Sequence, residues 1–437
     1  MSGLEVAAVA RRAGIVDGAS GAPRPLDQRL VEAAALKVRA VIAAAVDGEP
    51  LVATERRLAG LEAEALARGL AAVARALGAG RALVAVEERA SELRSALAAP
   101  ARKAGVEVGR VPDVARCGDP AGLAHDLLGS AGASALVVDA SAVIELARAL
   151  ARGGGVVDRA LTVAGEVLRP GVRRVALGTR VADLVAAAGG ATCGEPWVAL
   201  GDGPLAGRLL DRDDVVTKAT RAVIVMPARA DAVRRRRAPL EEQVRRSLSA
   251  CEQCAMCSDA CPPRLLGGRL APHELVRAFA GAGGGTDEVL AAIDCTSCGL
   301  CDVACPSGLS PRRLVEATAR ALLDRGVGPS ADDRGPVHDL RADRRLSLAL
   351  VALRLGLGGR ELDPPWDADR LHPAEVALPL KQSLGVAARP VVRAGDPVER
   401  GALVAEVPPG VLGVPLHASI TGVVTEIAEG AIVIGGR

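Results

Sequence analysis

The sequence predicts a multidomain protein that combines α/β and α+β folds. Its 437 residues exceed the usual ~100–200 residues of one domain, and half of them are hydrophobic. Helical stretches alternate with apolar strands early in the chain, and short strands punctuated by Pro and Gly dominate its end. Two runs of closely spaced cysteines lie between them. We therefore expect an α/β domain, a small β-grasp unit, a helical cysteine-rich domain and an all-β domain, in that order.

The composition argues against several classes of protein. With 54 basic and 52 acidic residues, the net charge of +2 does not favour a phosphate-backbone binder. The only aromatic residues are Trp197, Trp366 and Phe279, too few for stacking platforms, so we expect no nucleic acid partner. Almost every apolar run is broken by a charge before ~18 residues, and the exception, 407–425, contains turn-forming Pro and Gly, so we expect no transmembrane segment. Met1–Arg12 lacks a signal-peptide core, which predicts a cytoplasmic location.

Residues 1–152 are predicted to form an α/β domain with a parallel sheet. A helix is expected over Glu55–Leu77, and apolar strands are expected at Ala82–Val86 and Ala135–Asp139. This alternation is typical of strands joined by crossover helices. The glycines Gly153–Gly155 mark the domain boundary.

Residues 158–228 have a different pattern, with short strands and turn signals. A strand at Leu161–Val167 is followed by a turn at Arg169–Gly171, a strand at Arg173–Leu177 and a helix at Arg180–Ala188. The order of strand, turn, strand and helix predicts a β-grasp-like unit.

Eight of the ten cysteines occur in two runs with ligand spacing. Each run has the pattern C-x2-C-x2-C-x3-C-P, and the two runs are Cys251–Pro262 and Cys295–Pro306. This is the spacing of bacterial two-cluster ferredoxins. Two zinc ions are the alternative, but zinc sites seldom use a third Cys two residues on and a fourth Cys before proline. The other two cysteines, Cys117 and Cys193, are interpreted as small apolar residues with a thiol.

The spacing also predicts crossed ligation of two [4Fe–4S] clusters within a domain at 234–328. The first three cysteines of each run wrap one cubane, and the fourth reaches the neighbouring one. Cluster 1 is therefore assigned to Cys251, Cys254, Cys257 and Cys305, and cluster 2 to Cys295, Cys298, Cys301 and Cys261.

The basic run Arg234–Arg237 and the segment Leu240–Leu248 are predicted to form a helix that leads into the first cysteine run. We interpret the run as a solvated face without a partner.

The remaining chain is predicted to contain a linker and a terminal β domain. Residues 329–370 are rich in Pro, Asp and Arg, with one helix over Arg344–Leu355. Residues 371–437 contain glycine-bounded strand segments that resemble the two halves of a lipoyl- or biotinyl-type barrel-sandwich hybrid. Such carriers attach their prosthetic group to a hairpin lysine, but Lys381, the only lysine after residue 250, precedes the motif. We expect a structural or docking domain without a covalent group.

This arrangement resembles the cobalamin reductase family of propanediol-utilisation microcompartments. It is similar as well to the RnfC component of Rnf electron-transport complexes and, over the first two domains, to the flavoprotein subunit of respiratory complex I. The resemblance covers nearly the whole chain and is strongest in these segments: Leu161–Gly171, Thr217–Thr220, Arg236–Gln243, Leu270–His273, Gly308–Arg312, Leu380–Gln382 and His417–Val424. It implies an FMN- and NADH-binding first domain, an SLBB-type β-grasp, a corrinoid or redox protein as electron acceptor, and microcompartment components as partners.

Three loops depart from the family pattern where FMN and NADH would bind. The glycine-rich phosphate loop is Gly18–Leu26 here, with Ser20 and Pro23 replacing more permissive residues and Arg24 at the aromatic position. The second loop, Ala44–Leu51, keeps Glu49 but lacks the family's asparagine, and the third, Asp139–Val143, has no amide side chain. Gly18, Gly21, Asp47 and Glu49 remain as candidate FMN or NADH contacts. We predict weakened or lost binding of both cofactors.

Two hypotheses of function follow. In the first, the chain is an enzyme in which NADH reduces FMN and the two clusters pass electrons to a corrinoid or a redox protein. In the second, the first domain is vestigial and the chain is an iron–sulfur relay or scaffold for a separate flavoprotein. Both require the eight cysteines, whereas only the first requires the loop at 18–26.

Overall fold

The computed structural model describes residues 1–19, 21–130, 134–194, 196–279, 285–328, 334–428 and 430–436. These residues form the expected combination of α/β and α+β folds. Ser20, one of the predicted loop departures, lies outside them. A search of the described helices finds none with the length and apolarity to cross a membrane.

The first domain contains the predicted parallel sheet, in the order β5-β4-β3-β6. Its elements are α1 (Gly3–Ala13), β1 (Val16–Asp17), β2 (Arg24–Pro25), α2 (Leu26–Ala35), β3 (Ala40–Ala44), α3 (Thr54–Leu61), α4 (Ala63–Leu77), β4 (Arg81–Glu87), α5 (Ser91–Ala104), β5 (Glu107–Val111), α6 (Pro120–Leu128), β6 (Ala135–Asp139) and α7 (Ala140–Arg152). All four strands end at one edge, so the loops after β3, β4 and β6 meet there.

The prediction of one helix over Glu55–Leu77 is wrong in one respect, because the structure has two helices there. Glu62 separates α3 from α4 with non-helical backbone angles. Its carboxylate accepts hydrogen bonds from Arg148 on α7 (2.9 Å) and from Arg174 (2.7 Å) in the next domain. These tertiary ion pairs hold the chain in a bend. The sequence does not predict this bend, because position 62 is neither Gly nor Pro.

The second domain has the predicted order of strand, turn, strand and helix. Its elements are β7 (Asp158–Gly165), β8 (Gly171–Ala176), α8 (Val181–Ala187), β9 (Trp197–Gly201), β10 (Leu209–Leu210) and β11 (Ala222–Pro227). They form a sheet in the order β10-β9-β11-β7-β8, in which β7 and β11 run parallel. Parallel pairing of the first and last strands across the sheet is consistent with the β-grasp prediction.

The cysteine-rich region is helical. Its elements are α9 (Asp231–Arg237), α10 (Leu240–Ala250), α11 (Met256–Asp259), α12 (Pro262–Leu265), α13 (Pro272–Phe279), α14 (Thr286–Leu290), a 3-10 helix (Ala291–Asp294), α15 (Leu300–Ala304) and α16 (Pro311–Asp324). The single helix predicted across Arg234–Leu248 is wrong. Pro239 ends α9 because the residue before it, Ala238, is driven into an extended conformation.

The segment expected to be a linker is packed against its neighbours over 334–370. It contains α17 (Arg341–Arg344) and α18 (Leu348–Arg354), so the predicted helix begins at Leu348, capped by Ser347, instead of at Arg344. Val351 is fully buried in an apolar cluster that includes Cys298. The segment therefore helps to enclose the cysteine-rich region.

The C-terminal domain is all-β, as expected. Its strands are β12 (Glu375–Pro379), β13 (Arg389–Pro390), β14 (Pro397–Val398), β15 (Leu403–Glu406), β16 (Leu416–His417), β17 (Gly422–Ala428) and β18 (Ala431–Gly436). They form two sheets, in the orders β12-β18-β17-β14 and β13-β15-β16. The domain docks on the first one, where Leu384 N donates to Pro23 O (2.8 Å) and Arg11 donates to Pro408 O (2.9 Å).

Candidate metal centres and the loops of the first domain

The two cysteine runs share one local backbone. In the first run Gln253 and Ala255 have positive φ angles of 55° and 62°, and in the second Ser297 and Gly299 have 53° and 79°. These residues occupy equivalent positions, directly before and after the second cysteine of each run. Left-handed residues bend the chain tightly, so successive cysteines turn toward one side of the loop. A short helix, α11 or α15, follows each loop and carries the third cysteine.

The structure brings the fourth cysteine of each run next to the other run. A cavity between α12 and α15 is lined by Cys261 of the first run together with Cys295, Cys298 and Cys301 of the second. The thiol of Cys257 in turn interacts electrostatically with Cys305, and also with Cys251 and Cys254 of its own run. We call Cys251, Cys254, Cys257 and Cys305 the first thiol group. Cys261, Cys295, Cys298 and Cys301 form the second thiol group.

The two thiol groups differ in their access to solvent. In the first, Cys254 is exposed and Cys251 and Cys305 are half-buried. In the second, every thiol except that of the half-buried Cys295 is buried. The first thiol group is therefore the one closer to the surface.

The thiols suit iron–sulfur clusters better than single zinc ions. Burial raises the pKa of Cys257 and Cys295 to about 12, so neither would be a thiolate at neutral pH without a metal. Each run supplies a third Cys two residues after the second and a fourth Cys before proline, a pattern that is typical of iron–sulfur ligands and uncommon in zinc sites. Ser297 N also donates to Cys295 Sγ (3.3 Å), a bond that favours a thiolate.

Two glycine amides of the predicted phosphate loop already have acceptors within the protein. Gly18 N donates to Asp139 Oδ2 (2.9 Å), and Gly21 N donates to Gly18 O (2.9 Å). Asp139 N donates to Asp17 Oδ1 (2.7 Å). Carboxylates therefore join the phosphate loop to Asp139–Val143, the third loop that departs from the family pattern. Arg24 forms an ion pair with Glu32 on α2. A phosphate at this loop would have to displace these internal acceptors.

Asp47 and Glu49 are buried, and the structure gives them separate structural contacts. Asp47 accepts hydrogen bonds from Glu55 N (2.9 Å) and Arg56 N (3.3 Å) at the start of α3. Glu49 accepts from Leu205 N (2.9 Å) in the second domain and from the adjacent amide (3.0 Å), while burial raises its pKa. Both carboxylates therefore bind amides of the protein's own backbone.

The residues at this edge do not fit an FMN phosphate. The buried carboxylates that gather where the parallel strands end are Asp17, Asp47, Glu55, Glu87 and Asp139. Burial, together with the charge of Asp139, raises the pKa of Glu55 to about 7, and Glu55 accepts from Ser141 N (2.7 Å) and Oγ (2.8 Å). Phosphate sites offer free amides and free positive charge, whereas at this edge the amides of Gly18 and Gly21 already have acceptors and the arginines are paired, Arg29 with Asp17 and Arg56 with Glu87.

Two features of the structure were not found from the sequence. Lys218, within the Thr217–Thr220 motif, is fully buried and joins three domains. The chain has only four lysines against fifty arginines, and this rarity was a signal in the sequence that a lysine at this position has a specific role. The other is a groove lined by the arginines of α9 and α10, which was interpreted as a solvated face. Its position beside the first thiol group depends on tertiary packing.

Four family models match the chain. Residues 10–145 match the Nuo51 FMN-binding domain, 161–208 the SLBB domain, 250–310 the 4Fe-4S dicluster domain and 368–436 the RnfC barrel sandwich hybrid domain.

Two named relatives and one solved structure are similar to the chain. The chain is 32% identical over 443 residues to "Cobalamin reductase PduS" of Citrobacter freundii, covering 97% of this chain and 95% of the relative. It is 30% identical over 270 residues to one component of the "Ion-translocating oxidoreductase complex" of Rhodobacter capsulatus, covering 59% and 49%. Among solved structures, a chain of the NAD+-reducing [NiFe]-hydrogenase in the H2-reduced state matches at 19% identity with a TM-score of 0.49, covering 77% and 65%.

Proposed function

The chain belongs to the PduS family of cobalamin reductases, and from this premise we propose that it delivers electrons to a corrinoid acceptor. It is an iron–sulfur electron-transfer protein with a 4Fe-4S dicluster domain. One observation carries the proposal, namely the crossed grouping of the eight cysteines into two thiol groups. When bound there, [4Fe–4S] clusters supply one-electron transfer. Microcompartment components are proposed as further partners on the family resemblance alone.

We propose the thiol groups as the ligand sets. Cys251, Cys254, Cys257 and Cys305 would hold cluster 1, and Cys295, Cys298, Cys301 and Cys261 would hold cluster 2. The greater exposure of the first thiol group supports its use for exchange with an external acceptor, because electron transfer between proteins and acceptors requires close approach. The buried second thiol group would keep its cluster away from water.

The source of electrons is proposed to be a separate redox protein, such as a flavoprotein, and not an FMN of the chain's own. The observation that favours this is the occupied amide of Gly18, bonded to Asp139 within a wall of buried carboxylates. The first domain would then serve as a scaffold that holds the other domains together. NADH would not reduce the chain directly.

The test is a cofactor inventory of anaerobically purified protein. We expect about eight irons and eight acid-labile sulfides per chain, reducible by dithionite. After incubation with FMN and desalting, we expect no flavin absorbance, and NADH should leave the clusters oxidised. Two zinc ions without sulfide would overturn the cluster proposal. Stoichiometric FMN with rapid NADH-driven reduction would instead restore the enzyme hypothesis, and both the separate electron source and the scaffold role would fail.

A further inference from the structure

A basic groove lies next to the first thiol group. It has a volume of about 730 Å3 and runs between α9, α10 and the turn after Cys305. We call it the arginine groove, and the lining residues that matter here are Arg234, Arg235, Arg237, Gln243, Arg246 and Gly308. A concave site of this size is typical of small-molecule binding.

Two of its arginines are available to a ligand. Arg234 pairs with Asp231 (2.7 Å), and Arg235 donates to Asp302 O (3.2 Å). In contrast, the side chains of Arg237 and Arg246 are exposed and form no hydrogen bond or ion pair with another described residue. The acidic residues that also line the groove are Asp231 and Glu242. Since Asp231 is already paired, the groove keeps an excess of positive charge.

The wall of the groove contains an unpartnered amide. Gln243 is fully buried, and neither its Nε2 nor its Oε1 has a hydrogen-bond partner among the described residues. A buried amide without partners is destabilising, because its groups lose their hydrogen bonds to water and gain none in the folded protein. Because Gln243 lines the groove but is fully buried, a ligand with its own donor and acceptor atoms would satisfy this amide once the side chain turns toward the groove.

The elements that line the groove lead directly to two cysteines of the first thiol group. Helix α10 carries Gln243 and Arg246 and ends where Cys251 N donates to Ser247 O (3.2 Å). On the opposite side, Gly308 N donates to Cys305 O (3.3 Å). A molecule in the groove would therefore lie next to two cysteines of this thiol group.

We propose that the arginine groove binds the phosphodiester-bearing nucleotide arm of the corrinoid acceptor. This rests on the proposed function and adds the place where the acceptor binds. A cobalamin combines one phosphodiester with carboxamide side chains around the corrin ring. Arg237 and Arg246 match the phosphodiester, because one guanidinium group can donate two parallel hydrogen bonds to two oxygens of a phosphate. Gln243 matches a carboxamide, which offers both a donor and an acceptor.

The test compares two corrinoids and two neighbouring arginines. Equilibrium dialysis of the cluster-loaded protein measures binding of aquacobalamin and of cobinamide, which lacks the nucleotide arm and its phosphodiester. Arg246→Gln is expected to weaken aquacobalamin binding by about tenfold and to leave cobinamide binding unchanged. The matched control is Arg245→Gln, an exposed arginine on the same helix that does not line the groove. Iron content checks that each variant retains its clusters.

The outcomes separate this inference from the proposed function. The inference is overturned if both variants bind aquacobalamin with the same affinity, or if Arg246→Gln weakens the binding of both corrinoids equally. Electron transfer is measured separately, by mixing pre-reduced wild-type protein with aquacobalamin. Transfer without any effect of Arg246→Gln on binding refutes the groove alone, whereas failure of the wild type to transfer electrons refutes the function.

Discussion

At the scale of single residues, the cysteines carry most of the chemistry, and their pairing is a tertiary property. Cys261 and Cys305 each follow three cysteines of their own run, yet each lies with the opposite run. The thiols of Cys254 and Cys251 are among the groups that raise the pKa of Cys305 beyond the effect of burial. If each cluster is bound by cysteines of both runs, the two clusters tie the two runs together.

Crossed ligation can be tested with serine variants. Cys305→Ser should remove the spectroscopic signal that the reference variant Cys254→Ser removes, because both are assigned to cluster 1. Cys261→Ser should instead behave as Cys298→Ser does. Low-temperature EPR of dithionite-reduced protein, with iron counts, distinguishes the two signals. A Cys305→Ser protein that lost the signal missing from Cys298→Ser would show that each run binds its own cluster.

At the scale of elements, α11 and α15 are equivalent helices with unequal N-cap residues. Ala255 caps α11 with φ 62°, and Gly299 caps α15 with φ 79°. A methyl group on Gly299 would lie 2.5 Å from Leu205 O, a carbonyl of the second domain. The first run therefore tolerates an alanine at a position where the second run requires glycine.

Substitution at this cap should affect the two clusters differently. Gly299→Ala adds a clash with Leu205 O to a left-handed strain of about 1 kcal/mol, and we expect it to reduce the content of cluster 2. Ala255→Gly is the matched change at the equivalent position and should leave iron content unchanged. Iron counts and EPR of both variants provide the measurement. Equal iron retention in the two proteins would contradict the role assigned to the contact.

At the scale of the whole molecule, Lys218 joins three domains. Its Nζ donates to Gly14 O (2.7 Å) in the first domain and to Pro415 O (2.8 Å) in the last, and its own backbone N donates to Gln382 Oε1 (3.0 Å). Burial lowers the pKa of Lys218 to about 7 although Glu145 opposes the shift, and it lowers that of His417 to about 4. The domain junction therefore contains an amine that titrates near neutrality.

The stability of this junction should depend on pH. In the unfolded chain the lysine keeps its proton up to about 10.5, whereas in the folded chain it loses the proton near 7. The unfolded state therefore binds more protons between these values, so the free energy of unfolding rises with pH across this window. Relative to Lys218→Met, the wild type should gain on the order of a few kcal/mol between pH 7 and 9.5.

Anaerobic calorimetry of both proteins at several pH values measures this gain. Lys103→Met, at an exposed lysine on α5, serves as the control. A difference between wild type and Lys218→Met that stays constant with pH would refute a buried, titrating amine.

The sequence by itself determined the class of each domain and the chemistry of the cysteine runs, because these depend on local patterns. Strand β6 was predicted at its observed bounds, Ala135–Asp139, since a short apolar run between polar residues defines a buried strand. Only the tertiary structure decided how distant segments meet. The bend at Glu62, the carboxylate acceptor of Gly18 N, the burial of Lys218 and the groove at Arg246 all depend on partners far along the chain. Local patterns do not encode such contacts, since burial and electrostatics arise only when separate elements pack together.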